Sequence, residues 1–123
     1  MDLGNFSISL AVRDLDASRT FYAALGFAPV GGAASEGWMI LKNGACTLGL
    51  FQGMFERNML TFNPGWDADG RPVDGFTDVR EIQRRLVAAG LSPTASADEN
   101  GQGPAHCMFT DPDGNPVLID QHV

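Results

Sequence analysis

His106 and Asp120 are the two side chains of this sequence best placed for proton chemistry. His106 lies in the apolar run 105–110 and Asp120 closes the run 115–120. Between them, Asp111-Pro112-Asp113-Gly114 reads as a tight turn: proline pre-sets one backbone angle and glycine accepts the positive φ that other residues resist. The two runs therefore form a hairpin, and the two residues fall on neighbouring strands. Alternation puts Val117 and Ile119 on one face of the returning strand and Leu118 and Asp120 on the other. An imidazole near its unperturbed pKa of about 6.5 can abstract a proton at neutral pH, with Asp120 or a hydroxyl as its partner. His122 follows two residues later, and two imidazoles with a carboxylate would in principle hold a metal. The plainer reading makes His106 a hydrogen-bonding residue in a polar pocket and His122 a frayed terminal residue. Asp111 and Asp113 look like paired carboxylates, yet they belong to the turn and are read as capping it.

Nothing else in the sequence forms a catalytic constellation. There is no Gly-x-Ser-x-Gly elbow and no phosphate-binding glycine loop. Cys46 and Cys107 stand apart, each in an apolar strand-like run, and read as buried free thiols of a reducing cytoplasm. Eight Lys and Arg against fifteen Asp and Glu leave a net charge of −7, which argues against a nucleic-acid surface. No apolar run approaches the roughly 18 residues that span a bilayer, and no basic region precedes an apolar stretch at the N-terminus. A cytoplasmic protein without membrane association is the expectation. A chain of 123 residues is long enough to bury a sizeable core, and 15 glycines with 7 prolines imply many turns.

The elements that must carry these residues can be taken in order. Residues 6–12, FSISLAV, alternate strictly: Ile8, Leu10 and Val12 on one face, Ser7, Ser9 and Ala11 on the other. Asp14 or Asp16 can cap a helix whose apolar residues Leu15, Phe21, Tyr22 and Leu25 recur at helical spacing, closed by Gly26. Strands are expected at 28–31, 38–42 and 45–51, the last two joined by Asn43-Gly44. After a connector, 59–63 is again a strand. Residues 64–75 are a loop rich in Gly, Pro and Asp. Asp78 opens a second helix with Glu81 placed for a capping box and Val79, Ile82, Leu86 and Ala89 as its stripe. Gly90 closes it, 92–97 is a weak strand, and the hairpin ends the chain.

Both halves read β-α-β-β-β. Asp14 to Gly26 and Asp78 to Gly90 are each twelve residues, and the helix ends are offset by 64. Gly44 and Gly114 are 70 apart, and the excess of six fits in the loop 98–103. This is an internal duplication, with modules of about 1–53 and 58–123 in a single domain.

The stretch NFSISLAVRDLDASRTFYAALGF, followed by FTDPDGNPVLIDQH, resembles the vicinal oxygen chelate superfamily, which includes glyoxalase I, extradiol dioxygenases and bleomycin-resistance proteins. The resemblance spans essentially the whole chain. It implies an α+β fold of two βαβββ modules, curved mixed sheets around a central cavity with one helix per module on the convex side, and a homodimer. In metal-using members, ligands stand near the start of each module's first strand and on each last strand. Carried over, those places fall on Ser7, on Gly49 or a neighbour, on Leu118, and in the run 59–63, which has no His or Glu. Serine, glycine, leucine and methionine supply no anionic or imidazole ligand. No metal cofactor is therefore expected.

If the helix-packing face takes Ile8, Leu10, Val12, Leu48, Leu50, Leu60, Phe62, Cys107, Phe109, Val117 and Ile119, alternation leaves Ser7, Ser9, Thr47, Phe51, Met59, Thr61, Asn63, His106, Met108, Leu118 and Asp120 for the concave face. Trp38 or Met39 joins them, depending on register. Met54, Phe55 and Trp66 could cover a pocket mouth or bury a dimer contact. An apolar surface with a few polar groups suits a small organic molecule. The expected function is metal-independent small-molecule binding. The alternative is a lyase or isomerase, similar to lactoylglutathione lyase or otherwise, using His106 as acid and base or a non-standard metal.

Overall fold

A computed structural model covers residues 1–123. It is α+β and consists of two units, Ser7–Met59 and Met1–Phe6 with Leu60–Val123. The first six residues thus belong with the second half of the chain. No helix is long and apolar enough to cross a membrane.

The first unit follows the expected β-α-β-β-β order: β1 (Asn5–Val12), α1 (Leu15–Ala24), β2 (Ala28–Ala33), β3 (Trp38–Asn43) and β4 (Cys46–Gln52), with a short 3-10 turn at Ala34–Glu36. Its strands lie in the order β2-β3-β4-β1, and only the β1–β4 pair is parallel. Leu15, Met39, Leu41 and Leu50 form the core, flanked by Leu10, Val12, Tyr22 and Phe27. Helix α1 buries a narrower stripe than its sequence suggests: Phe21 and Leu25 stay exposed. Leu15 and Tyr22 are two turns apart and face the core together, while Phe21 is rotated off that line and packs edge-on against Tyr22. Cys46, expected inside, is exposed at the start of β4.

The second unit contains β5 (Met59–Asn63), α2 (Val79–Ala88), β6 (Ala105–Thr110) and β7 (Pro116–Gln121). The order is β5-β7-β6, with β5 and β7 parallel and β6 antiparallel to β7. Val79 and Ile82 of α2 pack on Cys107, Phe109 and Ile119. Burial pushes the Cys107 thiol up to about 11, so it is an inert core residue. The strand expected at 92–97 does not form; only an isolated bridge joins Ala95 to Met108. Pro93 has no N–H to donate, and both backbone groups of Ala97 go to Gln83 of α2 instead of to a ladder. The module is therefore β-α-β-β with one bridge.

Both helices start on an aspartate whose side chain accepts a backbone N–H, Asp14 from Ala17 and Asp78 from Arg80. Both end before a glycine at positive φ, Gly26 at 96° and Gly90 at 95°. The capping box does not close, because Glu81 turns to Arg84 and Arg85 one turn ahead. Burial would raise the Asp78 carboxyl, but hydrogen bonds from Arg80 and Gln121 outweigh it and hold the group below 3.8.

A glutamine at the end of each unit's last strand holds the helix beside it. Gln52 Oε1 accepts the N–H of Leu15 at 2.8 Å. Gln121 Oε1 accepts the N–H of Val79 at 2.8 Å, while its amide donates to Asp78 Oδ2 and to the carbonyls of Gly103 and Val123. Gln121 is 1% exposed. A buried polar group without a partner costs about 1–3 kcal/mol. Gln121→Leu should therefore lower unfolding stability by roughly 3 kcal/mol and Gln52→Leu, at the surface, by about 1 kcal/mol. Urea midpoints of the two variants measure this, and equal losses would contradict the assigned roles.

Candidate functional site

In the first unit, register decides which side chains share the face turned away from α1. Trp38 pairs with Phe51 and Phe51 with Ala11; Ile40 pairs with Gly49 and Gly49 with Ser9; Lys42 pairs with Thr47. Met39 is in the core, so Trp38 takes the place left open between the two. The rings of Trp38 and Phe51 lie parallel, 6.2 Å apart with 2° between their planes, and Phe55 tilts against Phe51 at 5.3 Å. Ser7 and Ser9 are buried, and Thr47 is half-buried. Met59, also half-buried, ends this unit.

Gly49 is what allows that array. A Cβ there would lie 2.5 Å from Phe51 Cε2 and 3.1 Å from its Cζ, so the ring rests on bare backbone. The same position is one of those where the resemblance would place a metal-binding carboxylate, and the ring now covers it. The sequence signal was Gly49 two residues before Phe51, a small and a large residue on one face of a strand.

In the second unit, Thr61, Leu118 and Met108 lie in one row across the sheet, and Asp120 faces His106 in the next. Asn63 is 6% exposed and its amide is occupied, donating to the Asp120 carbonyl and accepting from Asn5. His106 is exposed and makes no side-chain hydrogen bond. Asp120 turns instead to His122: Oδ2 is 3.2 Å from Nε2. His122 is not frayed. Its ring stacks on Trp66 with centroids 4.6 Å apart and planes within 9°. Trp66, expected at a pocket mouth or dimer contact, is tied down by a bridge to Pro72. The Asp120 hydrogen bond raises the His122 pKa above 6.5, burial opposes it, and the charge of Asp120 adds to it.

Asp111 is part of the turn, accepting the N–H groups of Asp113 and Asn115 and the amide of Asn115. The Asn115 amide is the largest influence holding its carboxyl below 3.8. An open groove of about 510 Å³ lies at the start of α1, lined by Arg13, Asp14, Asp16, Ser35 and Gln52. None of the expected ligand-binding residues lines it, and Asp14 and Gln52 are already engaged with the helix.

The donor set does not suit a divalent cation. Ser7, Gly49 and Leu118 stand at the expected ligand places, and no group of three or more His, Cys, Asp or Glu side chains converges anywhere. His106, Asp120 and His122 therefore do not make a three-ligand site.

Two outcomes are expected from this geometry. A histidine whose folded pKa is raised contributes stability that is complete below the unfolded value and lost as pH rises through the folded one. Stability should thus decline on raising pH above 6.5, and Asp120→Asn should flatten that decline in urea titrations across the range. The depressed carboxyls of Asp78 and Asp111 act elsewhere, losing their contribution only as pH falls below 3.8. Gly49→Ala should push the Phe51 ring off the strand, costing about 1–3 kcal/mol and changing the near-ultraviolet circular dichroism of the Trp38 stack.

A family profile described as Glyoxalase/Bleomycin resistance protein/Dioxygenase superfamily matches residues 6–119. No curated protein sequence matches the chain. Among solved structures, the chain is similar to an NAD-dependent benzaldehyde dehydrogenase of Legionella pneumophila, with TM-score 0.69 and 16% identity over 96% of this chain and 99% of that one. It is also similar to a glyoxalase/bleomycin resistance protein/dioxygenase superfamily member of Vibrio splendidus 12B01, with TM-score 0.66 and 17% identity over 97% and 98% of the two chains. A hypothetical protein of Bacillus halodurans C-125 gives TM-score 0.62 and 12% identity over 99% and 94%. Identities this low carry the fold and say nothing about substrate. With the profile spanning nearly all of the sequence, the chain belongs to the Glyoxalase/Bleomycin resistance protein/Dioxygenase superfamily.

Proposed function

We propose that the protein binds a small planar organic molecule, without a divalent metal, on the first-unit face formed by Trp38, Phe51 and Phe55 with Ser7, Ser9 and Thr47. The observation that carries this reading is the parallel Trp38–Phe51 pair seated over Gly49. Aromatic pairs prefer offset or edge-on contact, and a flat ring ligand adds to such an array with about 0.5–1.5 kcal/mol beyond the area it buries. The half-buried Thr47 supplies a hydroxyl able to orient a polar group of the ligand, while Ser7 and Ser9 are buried beneath the same face. Lys42, paired with Thr47, places a cationic residue at the rim of the same face. The absence of carboxylate and imidazole donors at Ser7 and Gly49 supports binding without metal. A cytoplasmic homodimer is part of this proposal, consistent with two free thiols.

Screening the protein by thermal shift against a library of aromatic amides, acids and heterocycles should return ligands that quench tryptophan fluorescence. Phe51→Ala should weaken the best of them about tenfold, which is roughly 1.4 kcal/mol. Stoichiometric transition metal in protein purified without chelators would overturn the metal-free reading. Ligands whose affinity is untouched by Phe51→Ala would move the site elsewhere.

A further inference from the structure

The second unit holds an arrangement that ligand binding by the first unit does not use. Asp120 engages one nitrogen of His122, Nε2, at 3.2 Å. Trp66 covers one face of the ring in a near-parallel stack. Nδ1 makes no hydrogen bond, and the side chain remains 46% exposed. The ring is held by contacts on two sides, although it lies beyond the last strand. The chain around it is anchored as well, since the buried Gln121 amide donates to the Val123 carbonyl.

We propose that His122, Asp120 and Trp66 form an acid–base site in which Nδ1 of His122 takes a proton from a carbon acid. The carboxylate fixes the tautomer by accepting the Nε2 proton and stabilises the imidazolium that forms. The indole face favours the same cation. Asp120 is the charged group acting on the ring; the contact from the loop is the uncharged indole, and His106 faces Asp120 from β6. The hydrogen bond to Asp120 raises the basicity of His122 above that of an ordinary imidazole, burial opposes it and the Asp120 charge adds to it, the direction that favours a general base. Leu118 and Met108, on the Asp120 side of the hairpin, offer apolar contact. The substrate class is an uncharged small molecule whose C–H is acidified by an adjacent carbonyl or C=N group. His122 touches the reacting proton and is the catalytic residue; Asp120 and Trp66 position it. No oxidant or reductant is needed, because the proton leaves to Nδ1 and the C–H electron pair stays with the substrate.

A suitable chemical probe is 5-nitrobenzisoxazole. A base removes its C3 proton, the C–H pair becomes the third bond of a nitrile, and the N–O bond breaks to release a coloured phenolate. The 123-residue chain should accelerate this opening with a sigmoidal pH profile, and His122→Gln should lose about a hundredfold of the acceleration. Asp120→Asn should shift the profile to lower pH, and Asp120→Glu should restore part of it. Nitrogen-15 shifts of the wild-type protein provide a measurement independent of folding in the variants: neutral His122 should carry its proton on Nε2. A proton on Nδ1, no acceleration by wild-type protein, or acceleration that survives His122→Gln and vanishes with His106→Gln each overturns the assignment. None of these outcomes depends on whether the first unit binds a ligand.

Discussion

Each unit depends on one glutamine at the end of its last strand. A helix laid beside a sheet begins with N–H groups that its own turns cannot satisfy. Aspartate side chains take one of these at each helix start, and the glutamines take the N–H just after the cap, from Leu15 and from Val79. The strand end and the helix start are then held in one geometry. Gln121 adds the loop carbonyl of Gly103 and the carbonyl of Val123 to the same knot, and Arg80 reaches the carbonyls of Asp98 and Gly103 beside it. The apolar contacts of Val79 and Ile82 with Cys107, Phe109 and Ile119 follow from that placement.

Once helix and strand are locked, strand alternation decides what each face offers. In the first unit the inner row puts Leu50 and Met39 into the core, so Phe51 and Trp38 must point the other way. Glycine at position 49 lets the aromatic ring lie down on the backbone. The same glycine leaves no side chain there to supply a carboxylate. In the second unit, Ile119 and Gln121 face the helix while Asp120 faces away, free to meet the imidazole of His122. Core-facing and outward-facing residues thus interleave one by one along β7.

Much of this was legible in the residues. The turn Asp111 to Gly114 and the helix caps and terminal glycines are local, carried by side chains that act on their own backbone. The ends Leu50-Phe51-Gln52 and Ile119-Asp120-Gln121 show the same core, outward and helix-capping pattern, a signal present in the sequence but readable only once the helix N–H groups had a location. The segment 92–97 was misread because strand propensity is weak there and the deciding partner, Gln83, lies on a helix fourteen residues from Ala97.

The sequence by itself determined which residues alternate, where the chain turns, where both helices start and end, and that the side chains at Ser7, Gly49 and Leu118 are not of ligand type. Only the tertiary structure decided that Asp120 meets His122 and leaves His106 exposed, that Trp66 covers the imidazole, and that the Phe51 ring rests on Gly49. The reason is physical. Periodicity and turn chemistry act within a few residues. Which side chains touch across strands and loops depends on register and rotamer, which are set when the core closes.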